Sequence, residues 1–205
     1  MLKYLFGICG AALTVLALAA AGVATAAVKV GQPAPAFSLV DVQGNPVTLN
    51  QFKGRWLALE WVNPSCPFVQ KHYNSGNMQK TQRAARELNV RWLQISSTNS
   101  NHPEFKDGPN LMAWNVAMKS LPTQVALDAD GKTGRGYGAK TTPEMVLINP
   151  EGVVVYHGAI DSIRSASTRD IALAVNYMEQ AMREATAGKP VSVPESQPYG
   201  CSIKY

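Results

Sequence analysis

The chain has 205 residues, of which 46% are hydrophobic, and its formal net charge at pH 7 is +5. Its 19 basic residues are scattered among 14 acidic ones rather than gathered into runs, so the charge pattern gives little support to binding of nucleic acid or of a membrane surface. We therefore expect no nucleic-acid partner.

The amino terminus has the pattern of a secretory signal peptide. Lys3 precedes an apolar run rich in Ala and Leu, which ends in the small-residue string AGVATAAV, so cleavage is expected near Ala26–Ala27. The alternative is an uncleaved anchor, since no charge lies between Lys3 and Lys29 and that distance can cross a bilayer. Residues 1–27 thus predict a periplasmic or secreted protein, attached to a membrane only if the signal stays uncleaved.

Removal of the signal peptide takes Cys9 with it and leaves two cysteines, Cys66 and Cys201. Disulfide bonds can persist in an exported protein. The remaining chain of about 178 residues is long enough to form one domain with its own hydrophobic core, so it does not need disulfide bonds for its stability. We therefore predict a chemical role for the two cysteines.

The first predicted elements are a hairpin and a buried strand. AFSLVDVQGNPVTL has two short apolar pieces around a turn at 43–46, which predicts a hairpin at one edge of a sheet. WLALEWV (56–62) is a continuous apolar run that ends at Asn63-Pro64, which indicates a strand in the middle of the sheet.

A helical crossover follows that strand. The pattern predicts a helix from Cys66 to about Tyr73, an interruption at NSGN, and a second helix over 78–88. VRWLQIS (90–96) is the next strand, so the two strands should be parallel. Residues 97–120 are predicted to be an inserted loop and a helix near the site.

The last third of the chain predicts three strands and a helix. QVALDADG gives a short strand and turn, and TTPEMVLINPEGVVVYHG gives two antiparallel strands about a turn at 149–152. The glycines of DGKTGRGYG are interpreted as turn and helix-end residues, because the Gly-Lys-Ser/Thr of a phosphate loop is missing. An apolar stripe predicts one helix over 171–185. The tail, 191–205, contains prolines and suggests a mobile segment.

The segment LEWVNPSCPFVQKHY (59–73) places Cys66 where a strand ends and a helix begins. Unpaired backbone N–H groups and the positive end of the helix dipole stabilise a thiolate at that position. Pro67 suits the first helical position, and Lys71 or His72 could add positive charge by turning back. The alternative is a buried, inert cysteine at a strand end.

Glu60 lies six residues before Cys66 in an otherwise apolar strand. Desolvation would raise the pKa of a buried carboxylate there, which could then carry a proton to or from the sulfur. The alternative is that strand alternation turns Glu60 to solvent or into a local salt bridge.

The order of elements is compatible with an α/β fold in which a mixed sheet is covered by helices on both faces. LALEWVNPSCPFV and YGAKTTPEMVLINPEG resemble the two signature segments of the thioredoxin-like superfamily, and the resemblance covers most of residues 30–187. NPSCPFVQKHY and YGCSIKY are similar to exported redoxins related to peroxiredoxins, the alkyl hydroperoxide reductase and thiol-specific antioxidant type. The resemblance implies a thioredoxin-like redoxin domain over residues 28–190.

The resemblance also implies a site. Thr142-Pro143 would have a cis peptide bond facing Cys66, and its backbone could pair with an extended substrate strand; the alternative is an ordinary trans bond at a strand entrance. Asn63 and Pro67 would complete the substrate-binding set. Asn63 departs from the peroxiredoxin pattern, which has threonine there, and Pro143 stands about where that pattern has a peroxide-polarising arginine.

Three interpretations of the cysteine pair remain open. Cys66 could attack a hydroperoxide and Cys201 resolve the sulfenic acid, or the pair could exchange disulfides with protein or small thiols. In either case a protein or a small thiol would serve as reductant. In the third, a permanent Cys66–Cys201 disulfide closes a loop of 201 minus 66 residues and stabilises a binding module by about 5 kcal/mol.

No metal or other cofactor is expected. His102 and His157 stand alone in the sequence, and no second thiolate lies close to Cys66 to complete a metal site.

Overall fold

The computed structural model describes residues 28–205. The predicted signal peptide, its cleavage site at Ala26–Ala27 and Cys9 lie outside the described residues. None of the helices within residues 28–205 is long and apolar enough to span a membrane.

Seven of the strands form one sheet and two short strands form a second. The order in the large sheet is β2-β1-β5-β4-β3-β7-β8, and the small sheet pairs β6 with β9. The strands are β1 (Ser38–Asp41), β2 (Pro46–Thr48), β3 (Leu57–Trp61), β4 (Arg91–Ser96), β5 (Gln124–Leu127), β6 (Thr141–Thr142), β7 (Glu144–Ile148), β8 (Val154–Gly158) and β9 (Cys201–Ser202).

The described chain also contains α-helices and two short 3₁₀ helices, Leu49–Phe52 and Thr168–Ala172. The α-helices are α1 (Pro67–Asn74), α2 (Asn77–Glu87), α3 (Gly108–Ala117), α4 (Lys132–Tyr137) and α5 (Tyr177–Thr186).

The strand pairings confirm the predicted centre of the sheet. β3 runs parallel to β4, with Glu60 opposite Gln94, and antiparallel to β7, with Glu60 opposite Met145. β7 and β8 are antiparallel, and the β1–β2 hairpin lies at one edge, both as predicted. Because β3 is hydrogen-bonded on both sides, the carboxyl end of this strand is held rigidly, and the Cys66 segment follows directly from it.

Alternate side chains of β3 pack into two separate hydrophobic clusters. Leu57, Leu59 and Trp61 belong to one cluster, which Tyr137 of α4 also joins. Ala58 belongs to the other, together with residues of α1, α2 and α5. Successive side chains of a strand point to opposite faces of the sheet, so β3 is buried on both faces. The two clusters confirm the predicted mixed sheet with helices on both sides.

The predicted helix over 171–185 is wrong over its first six residues. The helix begins at Tyr177, because the Asn176 side chain accepts a hydrogen bond from the Glu179 amide and caps it. Upstream, Leu173 and Val175 are exposed by 77% and 51%. The apolar stripe therefore continues across the residue at which the helix begins, and only the part after Asn176 packs on the sheet.

Two of the four glycines of DGKTGRGYG are confirmed as helix-end residues, whereas Gly134 and Gly136 lie inside the helix. Gly131 and Gly138 flank the short helix α4, with positive φ angles of 68° and 67°. Both adopt the left-handed conformation that glycine tolerates best. The six-residue helix between them was not predicted.

Candidate thiol site

Cys66 sits at the amino-terminal mouth of α1. The chain leaves β3 and turns at Asn63, whose carbonyl accepts a hydrogen bond from the Cys66 amide over 3.0 Å and whose side chain accepts one from the Ser65 amide over 2.9 Å. Cys66 is the cap residue of α1 and Pro67 is its first helical residue. Its sulfur thus lies where the helix offers free N–H groups and the positive end of its dipole.

The structure brings together both cysteines and the cis-proline loop, which we define as residues 140–143. Cys66 and Cys201 form a disulfide bond with a Cα–Cα distance of 5.9 Å. The Thr142–Pro143 peptide bond is cis, as the family resemblance implied. The sulfur of Cys66 lies 3.2 Å from the Thr142 carbonyl oxygen, so a reduced thiol could donate a hydrogen bond to it.

The strand that pairs with the cis-proline loop is the tail of the same chain. Thr142 lies opposite Cys201, and Thr141 lies opposite Ser202. Gly200 makes this approach possible: its φ is +139°, and a Cβ atom there would overlap the Thr142 carbonyl. The sequence predicted a substrate strand at this edge and a mobile tail; in the structure the tail is packed and occupies the edge itself.

Asn63 is buried and its polar atoms are used within the fold. Its amide nitrogen donates to Glu104 over 2.6 Å, while its oxygen holds the Ser65 amide. Glu104 belongs to the predicted inserted loop, which therefore lies beside the site. The placement gives Asn63 a role in shaping the turn before Cys66, and its predicted contact with substrate stays a prediction.

Glu60 is fully buried, so the alternative of a solvent-exposed carboxylate is wrong. It accepts hydrogen bonds over 2.7 Å from the Tyr73 hydroxyl and from the Trp92 indole, and Gln82 lies at 3.5 Å. Desolvation raises the pKa of Glu60 from 4.5 to about 7, although these hydrogen bonds oppose the rise. Its hydrogen-bond partners do not include Cys66; among them, Tyr73 lies on α1, seven residues after Cys66.

Four buried polar side chains form a cluster that the sequence did not reveal: Lys71, His72, Asp161 and Tyr199. The Lys71 ammonium lies 3.3 Å from an Asp161 oxygen and 3.4 Å from the Tyr199 hydroxyl. Lys71 and His72 therefore point to Asp161 and Tyr199, and the prediction that either turns back to Cys66 is not supported. Tyr199 stands two residues before Cys201, so the cluster holds the tail beside the disulfide.

Hydrogen bonds fix the protonation of this cluster. The side-chain NH₂ of Asn77 can only donate, and it lies 2.8 Å from His72 Nδ1, which therefore accepts and carries no proton. The proton of the neutral ring is then on Nε2, which donates to the Tyr199 oxygen over 3.2 Å. Tyr199 in turn donates to Asp161. Desolvation lowers the pKa of His72 to about 4 despite the attraction of Asp161, and burial raises the pKa of Tyr199 far above its usual range. His72 is thus neutral at pH 7.

We expect Glu60 and His72 to give opposite pH dependences of stability. Glu60 has a raised pKa in the folded protein, so its contribution to stability is complete below pH 4.5 and is lost as the pH rises to about 7. His72 has a lowered pKa, so its contribution is complete above pH 6.5 and is lost as the pH falls to about 4. Each effect amounts to about 3 kcal/mol, from 1.36 kcal/mol per pKa unit.

Urea unfolding of the wild type, Glu60→Gln and His72→Gln between pH 4 and 8 measures both effects. The wild-type free energy of unfolding minus that of Glu60→Gln should fall as the pH rises. The wild-type free energy of unfolding minus that of His72→Gln should instead rise with pH. A difference that stays constant with pH would show that the pKa of the substituted residue is unshifted in the folded protein.

No group of three or more His, Cys, Asp or Glu side chains within residues 28–205 could hold a metal ion. The sequence carried no signal for the Asp161 cluster: a buried ammonium requires a buried carboxylate, but the burial of Lys71 is seen only in the structure. The position of that carboxylate, 90 residues further along, had no local signal.

Comparisons with known proteins agree with this architecture. The model of the AhpC/TSA family matches residues 30–157. The thiol-disulfide oxidoreductase ResA of Halalkalibacterium halodurans is 23% identical over 127 residues, which cover 62% of this chain and 66% of ResA. The match therefore spans just under two thirds of that relative.

Two solved structures share the fold. An uncharacterized conserved protein from Geobacillus kaustophilus superposes with a TM-score of 0.72 at 22% identity, over 86% of this chain and 92% of the other. The thioredoxin domain of a thiol-disulfide oxidoreductase from Bacteroides vulgatus superposes with a TM-score of 0.52 at 21% identity, over 72% and 97% of the two chains. The predicted thioredoxin-like fold is confirmed.

Proposed function

This chain belongs to the AhpC/TSA family, and from that premise we propose that it is an exported, thiol-dependent oxidoreductase in which Cys66 and Cys201 alternate between dithiol and disulfide. One observation carries the proposal: the two cysteines of the described chain are bonded to each other, one at a helix mouth and the other against the cis-proline loop. The helix mouth favours the thiolate of Cys66, which makes Cys66 the nucleophile.

Peroxide reduction is the first candidate reaction. The Cys66 thiolate attacks a hydroperoxide oxygen, the O–O bond breaks, and the departing alkoxide takes a proton to leave as an alcohol. The resulting sulfenic acid is attacked by the Cys201 thiol, which forms the disulfide and releases water. Two equivalents of an external thiol, from a protein or a small molecule, then restore the dithiol and become a disulfide themselves.

Disulfide exchange is the second candidate, supported by the similarity to ResA. In this reaction the Cys66 thiolate attacks a substrate disulfide, one substrate sulfur leaves as a thiolate, and Cys201 then displaces the other. This route is favoured because, within residues 28–205, the hydrogen-bond partner of the Cys66 sulfur is the neutral Thr142 carbonyl, and the nearby cation of Lys71 is paired with Asp161. A permanent structural disulfide, in a binding module, is the competing explanation.

Oxidation of the reduced protein by one molar equivalent of hydrogen peroxide, followed by mass spectrometry, tests the proposal. A peroxidase forms the Cys66–Cys201 disulfide rapidly, and Cys201→Ser accumulates a sulfenic acid on Cys66. Consumption of peroxide no faster than by a free thiol, together with rapid oxidation by glutathione disulfide, indicates exchange. Failure of both reactions and a reduction potential below about −300 mV would indicate a structural bond.

We also propose that Glu60 exchanges a proton with the thiol site through the buried network around Tyr73. Support comes from its complete burial and from its pKa of about 7, close to the pH at which a thiolate must form. The same oxidation assay from pH 5 to 9 tests this role. The rate for Glu60→Gln should lose a titration near pH 7, and an unchanged profile would leave Glu60 without a part in ionisation of Cys66.

A further inference from the structure

We infer that the tail, residues 191–205, stays docked when the disulfide is reduced, so that the substrate oxidising Cys66 is a small molecule, a hydroperoxide or a low-molecular-weight disulfide, rather than a protein. The inference rests on the proposed thiol chemistry of Cys66. Three sets of contacts support it, and none of them uses the sulfur–sulfur bond.

The first set fills the edge that an extended protein substrate would need. Substrate strands bind by adding their backbone hydrogen bonds to an exposed sheet edge. At the cis-proline loop that edge is already paired, since Thr142 lies opposite Cys201 and Thr141 opposite Ser202. A substrate strand can pair there only after β9 has been displaced.

The second set holds the tail on the amino-terminal side of Cys201. Tyr199 is only 4% exposed; its hydroxyl donates to Asp161, and its ring packs edge-on against Phe68 of α1 with centroids 5.8 Å apart. Further upstream, the Ser196 amide donates to the His157 carbonyl over 3.1 Å. These contacts bury a polar and aromatic anchor beside α1, and none of them is made by the bonded sulfur atoms.

The third set holds the tail on the carboxyl side of Cys201. The Ile203 amide donates to the Lys140 carbonyl over 3.0 Å, and the Lys204 carbonyl accepts from the Asn99 amide over 2.7 Å. The Tyr205 hydroxyl donates to the Ala139 carbonyl over 2.7 Å, and the guanidinium of Arg135 lies 4.4 Å from the Tyr205 ring centroid. Cys201 is thus fixed from both sides.

Access to Cys66 is correspondingly narrow. Cys66 is 1% exposed with the tail in place, so a large reagent cannot reach its sulfur without releasing β9. The hydroxyl of Thr142, the residue whose carbonyl contacts that sulfur, is buried without a hydrogen-bond partner among residues 28–205. A small polar oxidant needs only a local opening of the site and would find a free donor there.

Rates of Cys66 thiol loss in the reduced protein test the inference. We expect oxidation by glutathione disulfide to be at least 100-fold faster than oxidation by a denatured, disulfide-bonded ribonuclease. Gly200→Ala, whose new Cβ would overlap the Thr142 carbonyl, should release β9 and shrink that ratio at least tenfold. Gly44→Ala is the matched control, since Gly44 also has a positive φ, +91°, but open space around it, and it should leave the ratio unchanged.

Hydrogen exchange of the Ile203 amide in the oxidised and reduced wild type gives an answer that needs no variant. Because reduction also lowers the global stability, the reference is a core amide, that of Leu59 in β3. A loss of Ile203 protection no larger than that of Leu59 supports a docked tail; a loss at Ile203 more than tenfold larger overturns it, as does equal oxidation of the wild type by the two disulfides. If Cys66 reacts with neither disulfide nor with hydrogen peroxide, the proposed function fails, while the hydrogen-exchange result still decides whether the tail stays docked.

Discussion

Reduction of the Cys66–Cys201 disulfide is expected to lower the free energy of unfolding by about 5 kcal/mol. The bond joins residues 135 positions apart, and in the chain-entropy model a loop of that length removes a large part of the conformational freedom of the unfolded chain. The effect acts on the unfolded state, so it is expected even if the tail remains docked in the reduced native protein.

Urea unfolding with and without dithiothreitol measures this loss, and Cys201→Ser should unfold like the reduced wild type. The double variant Cys66→Ser/Cys201→Ser is the control, because reductant should not change its stability. A loss under about 1 kcal/mol would contradict the prediction and would mean that strain or residual structure cancels the entropic gain.

Asp161→Asn is expected to destabilise the protein by about 3–5 kcal/mol, the cost of leaving a buried charge without its partner. The side chains of Lys71 and Asp161 are 0% and 1% exposed and lie 3.3 Å apart. The substitution keeps the shape of the side chain but removes its negative charge, so the Lys71 ammonium stays buried without compensation.

A second substitution separates the charge from the packing. Lys71→Met combined with Asp161→Asn removes both charges and should recover most of the loss, since a buried ion pair replaced by apolar groups is often near neutral. Asp130→Asn, at the exposed Asp130–Lys132 pair, is the matched control and should cost at most about 1 kcal/mol. Equal destabilisation by the Asp161 single and double variants would show that lost hydrogen bonds, and not the unpaired charge, set the cost.

Local patterns in the sequence predicted the framework of the site. The apolar run of β3, the Cys-Pro start of α1 and the turn between β7 and β8 are each determined by neighbouring residues, and the structure has all three. The burial of Glu60 was one of the alternatives that the sequence left open, and the structure decides it, because all five residues of β3 are buried.

The remaining features depend on residues far apart in the chain. Asp161 meets Lys71 across 90 positions and Tyr199 meets His72 across 127, and no periodicity links such pairs. The error in α5 has a local cause instead, because one side-chain cap at Asn176 outweighs a continuous apolar stripe. The docked tail was missed for both reasons, since its prolines and polar residues are typical of free segments and its partners are remote.

The path of the tail has a consequence for aggregation. β8 is an outer strand of the large sheet, and outer strands with unpaired backbone groups are templates for pairing with other molecules. The tail covers part of this strand, since the His157 amide donates to the Pro194 carbonyl and the His157 carbonyl accepts from the Ser196 amide. A chain whose tail has not yet docked therefore leaves an open sheet edge, and folding intermediates of this protein should self-associate through β8 until residues 194–196 are in place.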